Sequence, residues 1–158
     1  AIDRAAHHVW MTHAYFIPDQ DFVDALTNAA QRGVDVRILV PQRSNHIVAD
    51  WISRGYYEQI LASGVRIFRY QRSMVHAKTA TIDGTWSTVG TANIDRLSLT
   101  GNYEINVEVI DDDFAEVMES VFVTDLGRAT ELTGKAWAGR PIHYKLIEVV
   151  LAPLGPLL

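Results

Sequence analysis

Between Val34 and Val40 the chain reads VDVRILV, and Val34, Val36, Ile38 and Val40 fall on one side, the period of a half-buried strand. Upstream, HHVWMTHAYFI holds an apolar run from Val9 to Ala14 that predicts a buried strand ending before Pro18. A helix should follow, opened by Asp19 or Asp21, with Phe22, Val23, Leu26 and Ala30 on one face and Gly33 as its stop. A loop from Pro41 to Asn45 leads into a second helix through Val48, Trp51, Ile52 and Leu61, closed by Gly64, and VRIFRY is the next strand. Later, YEINVEVI alternates as a strand from about Tyr103. Asp112 or Asp113 is expected to cap a third helix with a stripe of Phe114, Val117, Met118, Val121 and Phe122, and Gly127 to end it. Short helices are expected around Leu132 to Trp137 and Ile142 to Leu151. Strand and helix alternate in the first half, which implies parallel pairing through crossover helices, and a later hairpin makes the sheet mixed. The expected fold class is α/β, a mixed, mostly parallel sheet flanked by helices. With no internal repeat and no low-complexity linker, residues 1–158 read as one domain.

Composition changes this picture little. A chain of 158 residues can bury a sizeable core, and 48% hydrophobic with 21% charged residues is ordinary for a globular domain. The absence of cysteine excludes a disulfide framework and a thiolate nucleophile. A net charge of -5 weighs against a protein that coats nucleic acid. That average hides a basic stretch: from Gln59 to Ile82 there is no acidic residue, and Arg66, Arg69, Arg72 and Lys78 all lie there. Arginines so placed usually form a solvated face, although their position just ahead of the motif described next also suits phosphate steering. No apolar run approaches the ~18–20 residues that cross a bilayer. The first residue is Ala1 rather than Met, so missing targeting segments say little about the full gene product. The closing VVLAPLGPLL, broken by Pro153 and Pro156, is expected to pack on the domain; contact with a membrane or a further domain is the other reading.

The candidate chemistry sits in MVHAKTATIDGTWSTVGTAN, residues 74–93. On a strand, His76 and Lys78 would project from one face together. Asp83-Gly84 signals a two-residue hairpin turn, since both residues tolerate positive φ, and that role accounts for Asp83 structurally. TWSTVG should return alongside, ending in Gly90-Thr91-Ala92-Asn93, where a backbone bend, a hydroxyl and an amide come close together. An imidazole, an ammonium, a hydroxyl and an amide in one place suit a tetrahedral oxyanion, above all a phosphate. His143-Tyr144-Lys145 repeats the local spacing, but Val150 stands where the aspartate should be, and a helix there would put the two side chains on different faces. It reads as structural. His7, His8 and His13 read as core or surface histidines, His46 as a residue that can line the site, and Asp95 and Arg96 as a local pair or substrate contacts.

His-x-Lys, four residues, Asp, six residues and Gly-Thr-x-Asn resembles the signature of the phospholipase D superfamily, which ends Gly-Ser-x-Asn; Thr91 keeps the hydroxyl. Glu104, eleven residues after Asn93, matches the acid that supports the histidine there. YFIPD, GVDVRILVP, YYEQILASGVRIFRYQ, TVGTANIDRLSL and WAGRPIHYKLIEVVLAPLGPLL are similar to the carboxy-terminal catalytic half of bacterial cardiolipin synthases. The resemblance implies a phospholipase D-like layer sandwich, with this chain one of two half-domains in the native polypeptide. It makes His76 either the nucleophile that takes up the phosphoryl group or the acid that protonates the leaving alcohol. Lys78 and Asn93 would hold phosphate oxygens, Thr91 would add a hydrogen bond, and Glu104 would orient the imidazole. Asp83 and Gly90 would shape the motif. No metal and no cofactor are implied. The activity implied is phosphatidyl transfer through a phosphohistidine, making cardiolipin from two phosphatidylglycerols. The implied setting is the bacterial cytoplasmic membrane, reached through segments outside this sequence, with this domain itself soluble. The partners would be phospholipid, a membrane surface, and a second His-x-Lys half-domain in the same chain or as a homodimer; nucleic acid is not expected. The alternatives are a homodimeric phosphodiesterase of nuclease type and a catalytically silent interaction domain.

Overall fold

The computed structural model describes residues 1–157, and the side chains of all of these except 99, 156 and 157. Seven strands form one sheet: β1 (His8–His13), β2 (Asp35–Pro41), β3 (Arg66–Tyr70), β4 (Lys78–Ile82), β5 (Trp86–Gly90), β6 (Asn106–Ile110) and β7 (Ala129–Leu132), in the order β6-β5-β4-β1-β2-β3-β7. The helices are α1 (Gln20–Gln31), α2 (Ile47–Ala62), α3 (Asp112–Leu126), α4 (Gly134–Ala138) and α5 (Ile142–Leu151). The sheet is mixed, as expected. Its parallel part is confined to β1, β2 and β3, and the junctions of β1 with β4, β4 with β5, β5 with β6 and β3 with β7 are antiparallel, so the parallel share is smaller than the pattern suggests.

Alternation decides which helix covers which face. Val9 and Met11 of β1, Ile38 and Val40 of β2, Ile67 of β3 and Ala80 of β4 join Val23, Leu26 and Ala29 of α1 and Ile60 of α2 in the main core. The opposite face carries Leu39 and Phe68, which pack with Phe122 of α3. Each such side chain larger than alanine contributes about 1.5–3 kcal/mol when fully buried. Helix α1 begins where Asp19 accepts the Phe22 N–H at 2.8 Å, and Gly33 at φ 92° ends it.

Several expectations need correction. Helix α3 is capped one residue earlier than Asp112, by Asp111, whose carboxylate accepts the Phe114 N–H at 2.8 Å. The segment from Leu132 is not a helix start: Leu132 closes β7, and Thr133 caps α4 through the Ala136 N–H. The strand expected from Tyr103 begins at Asn106, because Thr91 holds the backbone of Ile105 just before it. A turn of π-helix at Leu97–Gly101 has no counterpart in the hydrophobic pattern. The β4–β5 connection has three residues, Asp83 to Thr85, rather than two, since Ile82 faces Trp86. Asp83 (φ 54°) and Gly84 (φ 68°) supply its positive dihedrals. His143 and Lys145 lie on α5 as expected. The tail runs as a short 3-10 helix, Ala152–Leu157, and buried Gly155 lies where a Cβ would touch Tyr56 and Ile52 of α2; Leu158 is outside the described residues.

Candidate active site

Strand β4 opens with Lys78 directly opposite His13, the last residue of β1. His76 is therefore not on the strand: β1 offers no partner beyond His13, and residues 74–77 are irregular. The two cationic residues still meet. Lys78 Nζ lies 3.0 Å from His76 Nδ1 and 3.1 Å from Nε2, and it donates to the His76 carbonyl at 3.0 Å. Lys78 is only 7% exposed, whereas the imidazole stands at the surface.

Burial pushes the Lys78 ammonium below its ordinary pKa, and the Glu104 and Asp95 carboxylates oppose that shift by favouring the charged form. Those two acids are the negative charge that a buried lysine requires. On its other side Lys78 meets His13, 6% exposed, whose Nδ1 has no hydrogen-bond partner. Burial, with the Lys78 charge second, lowers the His13 pKa from 6.5 to about 3. His13 is thus a neutral wall against which the ammonium is packed. Between pH 6.5 and about 3 an unfolded chain takes up a proton at position 13 that the folded one refuses. Stability should therefore fall as pH drops through that window, by at most about 1.4 kcal/mol per pH unit. The non-titrating His13→Gln variant should show a flatter profile in urea unfolding across a pH series; parallel profiles would contradict this assignment.

Most of the other motif residues are held by backbone groups. Asn93 accepts the Tyr15 N–H on Oδ1 at 3.4 Å, which leaves its amide N–H groups available as donors. Thr91 does not present a free hydroxyl: its Oγ1 accepts the Ile105 N–H at 3.0 Å and donates to the Ile105 carbonyl at 3.4 Å. Gly90 is explained by close approach, because a Cβ there would stand 2.4 Å from the Ile105 carbonyl oxygen and 1.8 Å from Asn106 Oδ1. Asp83 lies away from the imidazole, where its carboxylate accepts the N–H groups of Ala6, His7 and His8 at 2.8, 2.8 and 2.9 Å. Burial alone would push its pKa up, but these three donors hold it below the ordinary value. Glu104 is not brought into hydrogen bonding with His76. Its bonding partner is the Asn102 amide at 3.5 Å, and it acts on Lys78 through charge.

Of the residues left open by sequence, His46 lines a cavity of about 430 Å³ together with Asn93, Asp95 and Glu104. Asp95 is buried and accepts the Ser98 N–H at 2.6 Å, capping the π-helical turn. Arg66 is held by Glu131 through two bonds of 2.8 Å, Arg69 is half-buried, and Arg72 is exposed at φ 68°. His8 pairs with Glu119 at 2.6 Å, far from the motif in sequence and on the α3 side. Sequence reasoning missed Tyr15. Its ring meets His76 and His46 edge-on, with centroids 6.2 and 5.5 Å away, and its hydroxyl donates to Asn45 Oδ1. Burial and the Asp50 carboxylate raise its phenol pKa, so it remains a donor. The available signal was position: Tyr15 and Asn45 follow the carboxyl ends of parallel strands β1 and β2, where open α/β sheets place their ligands. Among the described residues, no three His, Asp or Glu side chains converge as a metal site would.

At the end of β1 an exposed imidazole thus stands beside a buried lysine. A family model described as cardiolipin synthase, PLD-like domain, matches residues 1–126. The chain belongs to this phospholipase D-like family. It is 35% identical over 154 residues to cardiolipin synthase A of Klebsiella pneumoniae, an overlap covering 98% of this chain and 32% of that protein. Identity to cardiolipin synthase A of Yersinia pseudotuberculosis is also 35%, covering 100% of this chain and 32% of the relative. The chain thus spans about a third of the length of these relatives. Among solved structures it resembles Nuc, a phospholipase D family member from Salmonella typhimurium, with a TM-score of 0.73 at 25% identity over 84% of this chain and 86% of Nuc. Phosphatidylserine synthase of Haemophilus influenzae shares the fold, with a TM-score of 0.72 at 9% identity over 98% of this chain and 40% of that one.

Proposed function

We propose that this domain is one half of a phosphatidyltransferase site that makes cardiolipin from two phosphatidylglycerols and releases glycerol. The carrying observation is Lys78 Nζ, buried and 3.0–3.1 Å from both ring nitrogens of the exposed His76. One imidazole attacks phosphorus, the bond from phosphorus to the glycerol oxygen breaks, and a second imidazolium gives that oxygen its proton. The same imidazole then takes the proton of an incoming phosphatidylglycerol hydroxyl, whose oxygen displaces the phosphohistidine nitrogen. His76 fills one of these two roles. Lys78 and the Asn93 amide hold the non-bridging oxygens as their charge builds, which is the work a divalent ion does elsewhere. Thr91 and Glu104 support the site at one remove, by fixing the Ile105 backbone and by balancing Lys78.

The second imidazole comes from another half-domain. Relatives about three times as long as this chain favour one in the same polypeptide, acting at the cytoplasmic membrane. Among the described residues no helix is long and apolar enough to cross a membrane. A second reading, a homodimeric phosphodiesterase with water as acceptor, is favoured by the match over 86% of Nuc. Full-length protein given phosphatidylglycerol vesicles should release one glycerol per cardiolipin formed, undiminished by EDTA. Phosphatidic acid as the sole phospholipid product would support the second reading instead.

A further inference from the structure

Next to the motif lies a cavity that the chemistry above leaves without a task. It holds about 430 Å³ and shares Asn93 and Glu104 with the site. Tyr15, which lines it, is the common neighbour of His46 and His76, its ring centroid 5.5 and 6.2 Å from theirs. The cavity lining combines polar residues, among them the exposed Asn45, His46 and Asn102, with the apolar Ile47, Val48 and Leu97. Among the described residues neither ring nitrogen of His46 has a hydrogen-bond partner, although the residue sits at the N-cap of α2 with its backbone N–H held by Ser44 at 3.0 Å. Ile47 is 72% exposed. An isolated apolar side chain at a surface means little, but three lining one cavity beside polar groups match an amphipathic ligand.

We propose that this cavity binds the acceptor: the polyol head group of an incoming phospholipid, with His46 hydrogen-bonding a head-group hydroxyl and Ile47, Val48 and Leu97 meeting the lipid's apolar part. The inference rests on the phosphatidyltransferase reading and names the acceptor subsite of that site. In the second step the head-group oxygen forms a bond to phosphorus, the bond from phosphorus to the histidine nitrogen breaks, and the hydroxyl proton passes to the other imidazole. Water can make the same attack, yielding phosphatidic acid. A bound, oriented alcohol wins that competition by its local concentration. His46 is therefore a specificity residue, setting the partition between transfer and hydrolysis.

The test is the product ratio of full-length His46→Ala and Ile47→Ser proteins on phosphatidylglycerol vesicles. A ratio is read only from molecules that turn over, so partial unfolding does not distort it. The ratio of cardiolipin to phosphatidic acid should fall by about two- to tenfold in His46→Ala, the worth of one hydrogen bond, and in the same direction in Ile47→Ser. A ratio equal to wild type in both variants overturns the acceptor subsite, whatever happens to total turnover. Wild-type protein that forms no cardiolipin overturns the parent reading, a different and separately visible failure.

Discussion

Replacing His76 with asparagine is expected to reduce turnover by about 10³-fold or more while leaving the domain folded. Loss of a histidine that serves as nucleophile or general acid removes a step rather than weakening a contact, and such losses run to 10³–10⁶-fold in well-studied enzymes. Both proposed roles predict the same outcome, so the result does not depend on which one His76 holds. The fold should survive because the imidazole is exposed and precedes β4, with the Lys78 ammonium and the Tyr15 ring edge as its neighbours. Asparagine can still offer Lys78 an acceptor. The measurement pairs phosphatidylglycerol turnover by the full-length variant with its thermal unfolding curve. Turnover within tenfold of wild type, at unchanged stability, would sink the assignment.

Asp83→Ala is expected to produce the largest loss of stability, roughly 3–5 kcal/mol. The aspartate accepts three backbone N–H groups from the start of β1. Hydrogen bonds to a charged group contribute about 1.5–3 kcal/mol each, less when they share one acceptor and when water can replace them. A further ~1 kcal/mol comes from placing alanine at φ 54°. In a domain of this size the sum corresponds to a drop of about 6–20 °C in Tm. The folded pKa lies below the unfolded value of 3.8, so this stabilisation is full above pH 3.8 and is lost as pH falls through the folded pKa. The difference between wild type and Asp83→Ala should shrink with it. Asp83→Asn tolerates the turn but lacks the charge, and should lie in between. Calorimetry at pH 7 and at pH 3 distinguishes these cases; an Asp83→Ala protein as stable as wild type at pH 7 would show that the clasp contributes nothing.

The strands and helices with regular periods were legible in the chain, and the places that were not share one cause. Val34 to Val40 and the α1 stripe announce themselves because period and burial coincide locally. His76 looked like a strand residue because its spacing to Lys78 suits one, but a strand also needs a neighbour, and β1 ends at His13. That limit lies over sixty residues away in sequence. Strand β7 was hidden for the same reason: Ala129–Leu132 is short, and only pairing with β3 makes it a strand. In the motif, the turn at Asp83-Gly84 and the strand that carries Lys78 are local and could be read from spacing, whereas the place of His76 ahead of that strand could not. Tyr15, His13 and the cavity around His46 are assembled by β1, β2 and the π-helical turn, and no short stretch records how those come together. Thr91 and Glu104 carry the right residue types, yet the hydroxyl is taken by the Ile105 backbone and the carboxylate by the Asn102 amide.

The grip of Asp83 on the start of β1 joins residues 75–77 apart in the chain. At the ~5–20 residues per second of protein synthesis, β1 leaves the ribosome about 4–15 s before its clasp exists. During that interval β2 and β3 emerge and can pair in parallel on one side, while the edge that will receive β4 stays bare. The three parallel strands β1, β2 and β3 are therefore made before the strand that brings Lys78. The junction where Lys78 settles against His13 forms only when β4 arrives, and a nascent chain carries an unguarded strand edge until then.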